Sequence, residues 1–64
     1  MWTTIHVAIG LELATEIKEK LKAEGFIVKI KYFSREGNEE FYEILAPSFE
    51  AEDIQTFMAE SGIM

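Results

Sequence analysis

His6 is the only histidine in a chain of 64 residues that contains no cysteine. A zinc site takes three or four nitrogen, sulfur or oxygen ligands, so a lone histidine without cysteine does not build one. Beside a carboxylate such as Glu43, His6 has the chemistry of a general base. A half-exposed strand position is the plainer reading of the same residue. Ser34 and Ser48 lie near loops, but neither sits in a G-x-S-x-G turn, and one histidine does not support a convincing triad. Glycines 10, 25, 37 and 62 are dispersed, so no Gly-rich phosphate loop exists. Gly10, placed before a helix, could offer backbone N–H groups to an anion or small ligand. An ordinary β-to-α turn uses a glycine in the same way, and a net charge of −6 attracts anions poorly. The expectation is therefore no catalytic residue, no cofactor, no metal and no enzyme.

Charge is unevenly placed. All six basic residues fall between Lys18 and Arg35, whereas Glu36 to Met64 holds eight acids and no base. That half could attract a divalent cation or a basic partner. Glu50, Glu52 and Asp53 do not follow a calcium-loop pattern, and they already suit the first turns of a helix, where the dipole favours negative charge. The acidic balance argues against nucleic acid, which needs a basic surface. Glu39-Glu40-Phe41-Tyr42-Glu43 also lacks the basic, Gly-rich aromatic motif of RNA-binding sheets.

These residues must be positioned by elements. Met1–Ile9 reads as a strand of β-branched and alternating residues, ended by Gly10. Leu11–Glu24 reads as a helix, with Leu13, Ala14, Ile17 and Leu21 as its apolar stripe. Glu16 and Lys20 form a favourable i,i+4 pair, and Gly25 stands where a left-handed residue ends a helix. Phe26–Ser34 and Glu39–Ala46 read as strands joined through Arg35-Glu36-Gly37-Asn38, a hairpin with positive φ at Gly37 or Asn38. After Pro47, Ser48 is the expected N-cap of a helix to about Glu60, with Phe49, Ile54, Phe57 and Met58 on its apolar face. Ser61-Gly62 ends it, and Ile63-Met64 is a short tail.

The order β-α-β-β-α predicts an α+β fold in a single domain over residues 1–64. Its economical arrangement is a split β-α-β, the front of a ferredoxin-like fold, with a right-handed crossover if strands one and two run parallel. The sheet is three-stranded and antiparallel in order 1-3-2, with both helices on one face. The remaining residues are too few for a fourth strand, so the outer edge of strand one is expected to be unpaired. Strict alternation places Ile5, Val7, Ile9, Val28, Ile30, Tyr42 and Ile44 under the helices. It leaves Trp2, Thr4, His6, Ala8, Ile27, Lys29, Lys31, Phe33, Phe41, Glu43 and Leu45 on the open face. A solvated face is usually polar, and this one is mixed. Lysine stems and cross-strand contacts account for it on the plain reading. On the functional reading Trp2, Thr4, His6, Ile27, Phe33, Phe41 and Leu45 form a candidate interface for a protein partner or a homodimer.

The run Ala14-x-x-Ile17-Lys18-x-x-Leu21-x-x-Glu24-Gly25-x-x-Val28 resembles the opening β-α-β of small bacterial proteins grouped as prokaryotic signal-transducing proteins, a domain of unknown function. Short uncharacterised proteins of anaerobic Firmicutes look closer still. They begin as Met1-Trp2-Thr3 does, and they contain a segment similar to Tyr42-Glu43-Ile44-Leu45-Ala46-Pro47. The likeness covers most of the chain, and its motifs are structural. The resemblance implies a regulatory module and carries over no catalytic residue. Proteins of this look sometimes bear the label glutamate decarboxylase. A pyridoxal-phosphate enzyme must enclose its cofactor, a Schiff-base lysine and a phosphate cradle, and nothing in these 64 residues supplies that set. No stretch reaches the ~20 apolar residues of a membrane span, and no basic region precedes an apolar start as in a signal peptide. The expected setting is cytoplasmic. The function expected is a small interaction or regulatory module working through protein–protein contacts, with a small-ligand site at the Gly10 turn as the alternative.

Overall fold

Alternating and helical periods are realised as five elements in a computed structural model that describes residues 1–62. They are β1 (Trp2–Ile9), α1 (Leu11–Ala23), β2 (Lys29–Glu36), β3 (Glu39–Pro47) and α2 (Ser48–Ser61). The tail read at Ile63-Met64 lies outside the described residues. β3 is central and antiparallel to both neighbours, giving the order β1-β3-β2. β1 and β2 are thus parallel to each other and linked through α1, the split β-α-β of a ferredoxin-like arrangement. One hydrophobic cluster joins the sheet to both helices. Ile5, Ala8, Ile44 and Ala46 come from the sheet, Ala14, Ile17 and Leu21 from α1, and Ile54 and Met58 from α2.

The punctuating residues explain where the elements stop. Gly10 holds φ +93°, donates its N–H to the Glu40 carbonyl at 2.7 Å and accepts the Ala14 N–H at 3.1 Å. It therefore ends β1 on the β3 ladder and starts α1, which has no side-chain cap. At the other end of α1, Gly25 takes φ +95°. Its N–H donates to the Lys22 carbonyl, and the Phe26 N–H donates to that of Leu21. This is a Schellman ending, and it uses the freedom of glycine at positive φ. Phe26 then packs on Phe57 of α2, ring centroids 5.9 Å apart, and the Ile27 N–H donates to Glu50 Oε1 at 3.1 Å. Residues 26–28, read as the start of a strand, are instead a connection pinned to α2, and β2 begins at Lys29. The hairpin turn is Gly37-Asn38, with positive φ at Gly37 alone, the pattern of a type II′ turn.

Three local expectations change. Ser48 is the first residue of α2 rather than its cap. Its N–H and hydroxyl both donate to the Met1 carbonyl, at 2.8 and 3.0 Å, so it ties down the start of β1. Phe49 is 79% exposed. At about 100° per residue it lies some 140° and 180° around the helix from Ile54 and Met58, off the buried stripe. Leu13, expected on the apolar stripe of α1, is exposed as well.

The largest correction concerns β1. Thr4 pairs with Leu45 and His6 with Ile44, so Ile5 is an extra residue without a partner. This β-bulge reverses the alternation from His6 onward. Ile5 and Ala8 are buried, while Val7 and Ile9 are about half exposed. Val7 and Ile9, expected under the helices, are thus on the open face. His6 and Ala8, expected on the open face, are on the helix side. β3 has no such interruption, and Phe41, Glu43 and Leu45 are on the open face as alternation requires.

Candidate interaction surface

Residues paired across strands share a face, so the open face can be read row by row. Trp2 lies beside Pro47, and Thr4 beside Leu45 and Lys29. Val7 lies beside Glu43 and Lys31, and Ile9 beside Phe41 and Ser34. β1 contributes exposed apolar groups, with Trp2 at 41%, Val7 at 44% and Ile9 at 50%. Phe41, Glu43 and Leu45 fill the middle of the sheet, half-buried. β2 contributes lysines. The Lys29 ammonium sits 4.2 Å from the centroid of the Trp2 ring, a cation–π contact that reaches across β3 from one edge strand to the other. The face therefore grades from apolar at β1 to basic at β2.

Of the residues anticipated as an interface, Trp2, Thr4, Phe41 and Leu45 are brought together here. Ile27 is exposed in the connection before β2. Phe33 is exposed too, as the unpaired residue of a second bulge between Tyr32 and Ser34. His6 is removed from the face by the Ile5 bulge. Because His6 pairs with Ile44 while Glu43 points to the opposite face, the proposed base-and-carboxylate pair does not form. No group of ligating side chains suited to a metal occurs among the described residues, and these residues enclose no pocket. At the Gly10 turn the glycine N–H is already given to Glu40.

The free edge of β1 can be assigned atom by atom. In an antiparallel ladder, alternate residues turn their N–H and C=O toward the partner strand and the rest turn them away. Gly10 bonds inward to Glu40, so Ala8 and His6 also face β3, and Val7 and Ile9 present N–H and C=O outward. The Ile5 carbonyl is taken by the Gln55 amide of α2 at 2.8 Å. Alternation along β1 did not point to Gln55. Its signal is a polar residue at i+4 from Ala51 and i−3 from Met58, on the side of α2 that should be apolar.

On the helix side, the Tyr42 hydroxyl donates to Glu40 Oε1 at a long 3.5 Å. Its pKa is raised above the ordinary 10.0, first by burial and then by the Glu40 carboxylate. Tyr32 packs edge-on against the Tyr42 ring, centroids 5.6 Å apart. No helix among the described residues is long and apolar enough to cross a membrane. Comparison with protein families, curated proteins and solved structures yields no match to this chain.

Proposed function

We propose that this chain is a small interaction or regulatory module, not an enzyme, that acts through protein–protein contacts on its open sheet face. The observation that carries the reading is the apolar set Trp2, Val7 and Ile9, exposed beside half-buried Phe41 and Leu45. Exposed apolar area that is contiguous and bordered by polar groups favours an interaction site over a bare solvated face. The resemblance to signal-transducing proteins agrees with a regulatory role, and the reading places the module in the cytoplasm. Nothing at the Gly10 turn favours the small-ligand alternative.

The test is site-specific photocrosslinking in cells, with the crosslinker at Phe41 on the face or at Glu19 on the exposed side of α1. A discrete adduct from position 41, absent from position 19 and lost in Leu45→Lys, is the expected result. Equal labelling from both positions would reject the face as the working surface.

A further inference from the structure

We infer that two copies of this chain join through their β1 edges, antiparallel, about a two-fold axis at Ala8. The inference goes beyond the face reading, because it rests on the outward backbone groups of Val7 and Ile9 rather than on their side chains, and Leu45→Lys alters the face without touching the edge. Three observations carry it.

The first is chemical. An unpaired edge strand is an invitation to another strand, and proteins blunt such edges with charges or proline. β1, Trp-Thr-Thr-Ile-His-Val-Ala-Ile, has neither a carboxylate, a lysine, an arginine nor a proline. β2, the other edge, carries Lys29, Lys31, Arg35 and Glu36. An uncharged strand can also lie beside its own copy without opposing like charges.

The second is geometric. Between the Ile5 bulge and the Gly10 turn the outward groups of β1 are those of Val7 and Ile9, since Gln55 occupies the Ile5 carbonyl and α1 begins at Leu11; Trp2 and Thr4 also turn outward, on the far side of the bulge. With Ala8 on the axis, Val7 faces Ile9 of the second copy, and each pair exchanges N–H···O=C bonds in both directions. An axis at Val7 would set Ile9 against the occupied Ile5 carbonyl, and an axis at Ile9 would set Val7 against helical Leu11. Only the Ala8 register uses every outward group between the bulge and the turn. It also places the half-exposed Val7 and Ile9 side chains next to their counterparts on one continuous face.

The third is size. A face of eight residues by three strands has a footprint of about 380 Å², from about 3.3 Å per residue and about 4.8 Å per strand. A stable interface takes about 800 Å² per partner. One copy falls well short, whereas a six-stranded sheet made by two copies offers about twice the single face. Pairing through β1 is thus the self-association that also brings the open face to working size.

Electrostatics sets the direction of the salt effect. Each copy carries a net charge of −6, and α2, which packs on β1, holds Glu50, Glu52, Asp53 and Glu60 with no base. The two acidic helices repel across the axis, so added salt strengthens the dimer. A basic foreign strand on the same edge would be weakened by salt instead.

Sedimentation equilibrium of the full chain, from micromolar to millimolar and at low and high salt, provides the test. Val7→Pro removes an outward N–H and leaves the β1–β3 ladder intact, the one setting in which an edge strand accepts proline. By symmetry it deletes two hydrogen bonds, and the association constant is expected to fall about tenfold or more. Ile9→Lys, which only decorates the exposed side of the strand, should act in the same direction. Circular dichroism of both variants checks that they fold. Leu45→Lys, on central β3, should leave the edge dimer in place. A chain monomeric at millimolar concentration in high salt overturns the inference. So does association that survives Val7→Pro and Ile9→Lys but is lost in Leu45→Lys, a result that would leave the face reading standing.

Discussion

β1 and β2 border the same sheet, and among the described residues both leave backbone groups unpaired, yet their side chains prepare them differently for water. β2 alternates Lys29, Ile30, Lys31 and Tyr32 before its bulge, then Arg35 and Glu36. Its charges surround the outward amides of Ile30 and Tyr32, identified by the same ladder parity as on β1. β1 has no charge, and its only protection is local: the Ile5 bulge and the Gln55 amide over the Ile5 carbonyl. The contrast teaches that an edge can be closed along its length or at a single point. Closing it at a point divides the edge and leaves, between the bulge and the Gly10 turn, a short, defined stretch, Val7 to Ile9, open to a strand.

The strongest way to break this comparison is to move one residue along β1. Ala8→Lys places an ammonium at a buried position, 1% exposed, and should cost about 3–5 kcal/mol, the scale of an uncompensated buried charge. Val7→Lys, on the open face, should stay within about 0.5 kcal/mol. Urea unfolding of the two variants checks the pair. A strand without the Ile5 bulge would reverse their order.

That pair also marks where sequence and structure part company. The element order was legible because Gly10, Gly25, Gly37 and Pro47 separate segments of distinct period. The open face of β3 was legible because Phe41, Glu43 and Leu45 alternate without interruption. The β1 faces were not, since both alternating sets contain apolar residues and Ile5 carries no glycine to announce a bulge. With nothing polar to mark the inner face, a one-residue shift leaves no trace in the pattern. The start of β2 was misplaced for a related reason. Phe26 and Val28 alternate like a strand, but Phe26 completes the ending of α1 and packs on Phe57 of α2. Of the candidate site, Trp2, Thr4, Phe41 and Leu45 were recognisable, whereas Val7, Ile9 and Gln55 depend on the bulge.

Smaller effects sharpen the contrast. Gln55→Leu leaves the Ile5 carbonyl without its donor and should destabilise the fold by about 1 kcal/mol, the net value of one hydrogen bond, as read from the urea midpoint. It should also lengthen the open stretch of β1, so self-association should rise in the same protein. Lys29→Ala removes the cation from the Trp2 ring. A loss of about 0.5–1 kcal/mol is expected, with a change in tryptophan emission that Lys31→Ala does not reproduce. The least effect is that of Tyr42. Its raised pKa means that the unfolded chain releases the phenolic proton first. This contribution to stability is therefore complete below pH 10.0 and declines as pH rises through the folded value. A phenolate absorbance titration should resolve one tyrosine titrating late, and Glu40→Gln should bring it back toward the ordinary value.

The most direct measurement of the difference between the edges is residue-resolved amide hydrogen exchange on the unmodified chain at two concentrations. His6, Ala8 and Gly10 should be protected at both, because their amides face β3. Val7 and Ile9 should exchange quickly in dilute solution and slowly in concentrated solution, while Ile30 and Tyr32 on β2 remain fast throughout. Val7 and Ile9 amides that exchange at one rate at both concentrations, or β2 amides that gain protection in their place, would contradict the account.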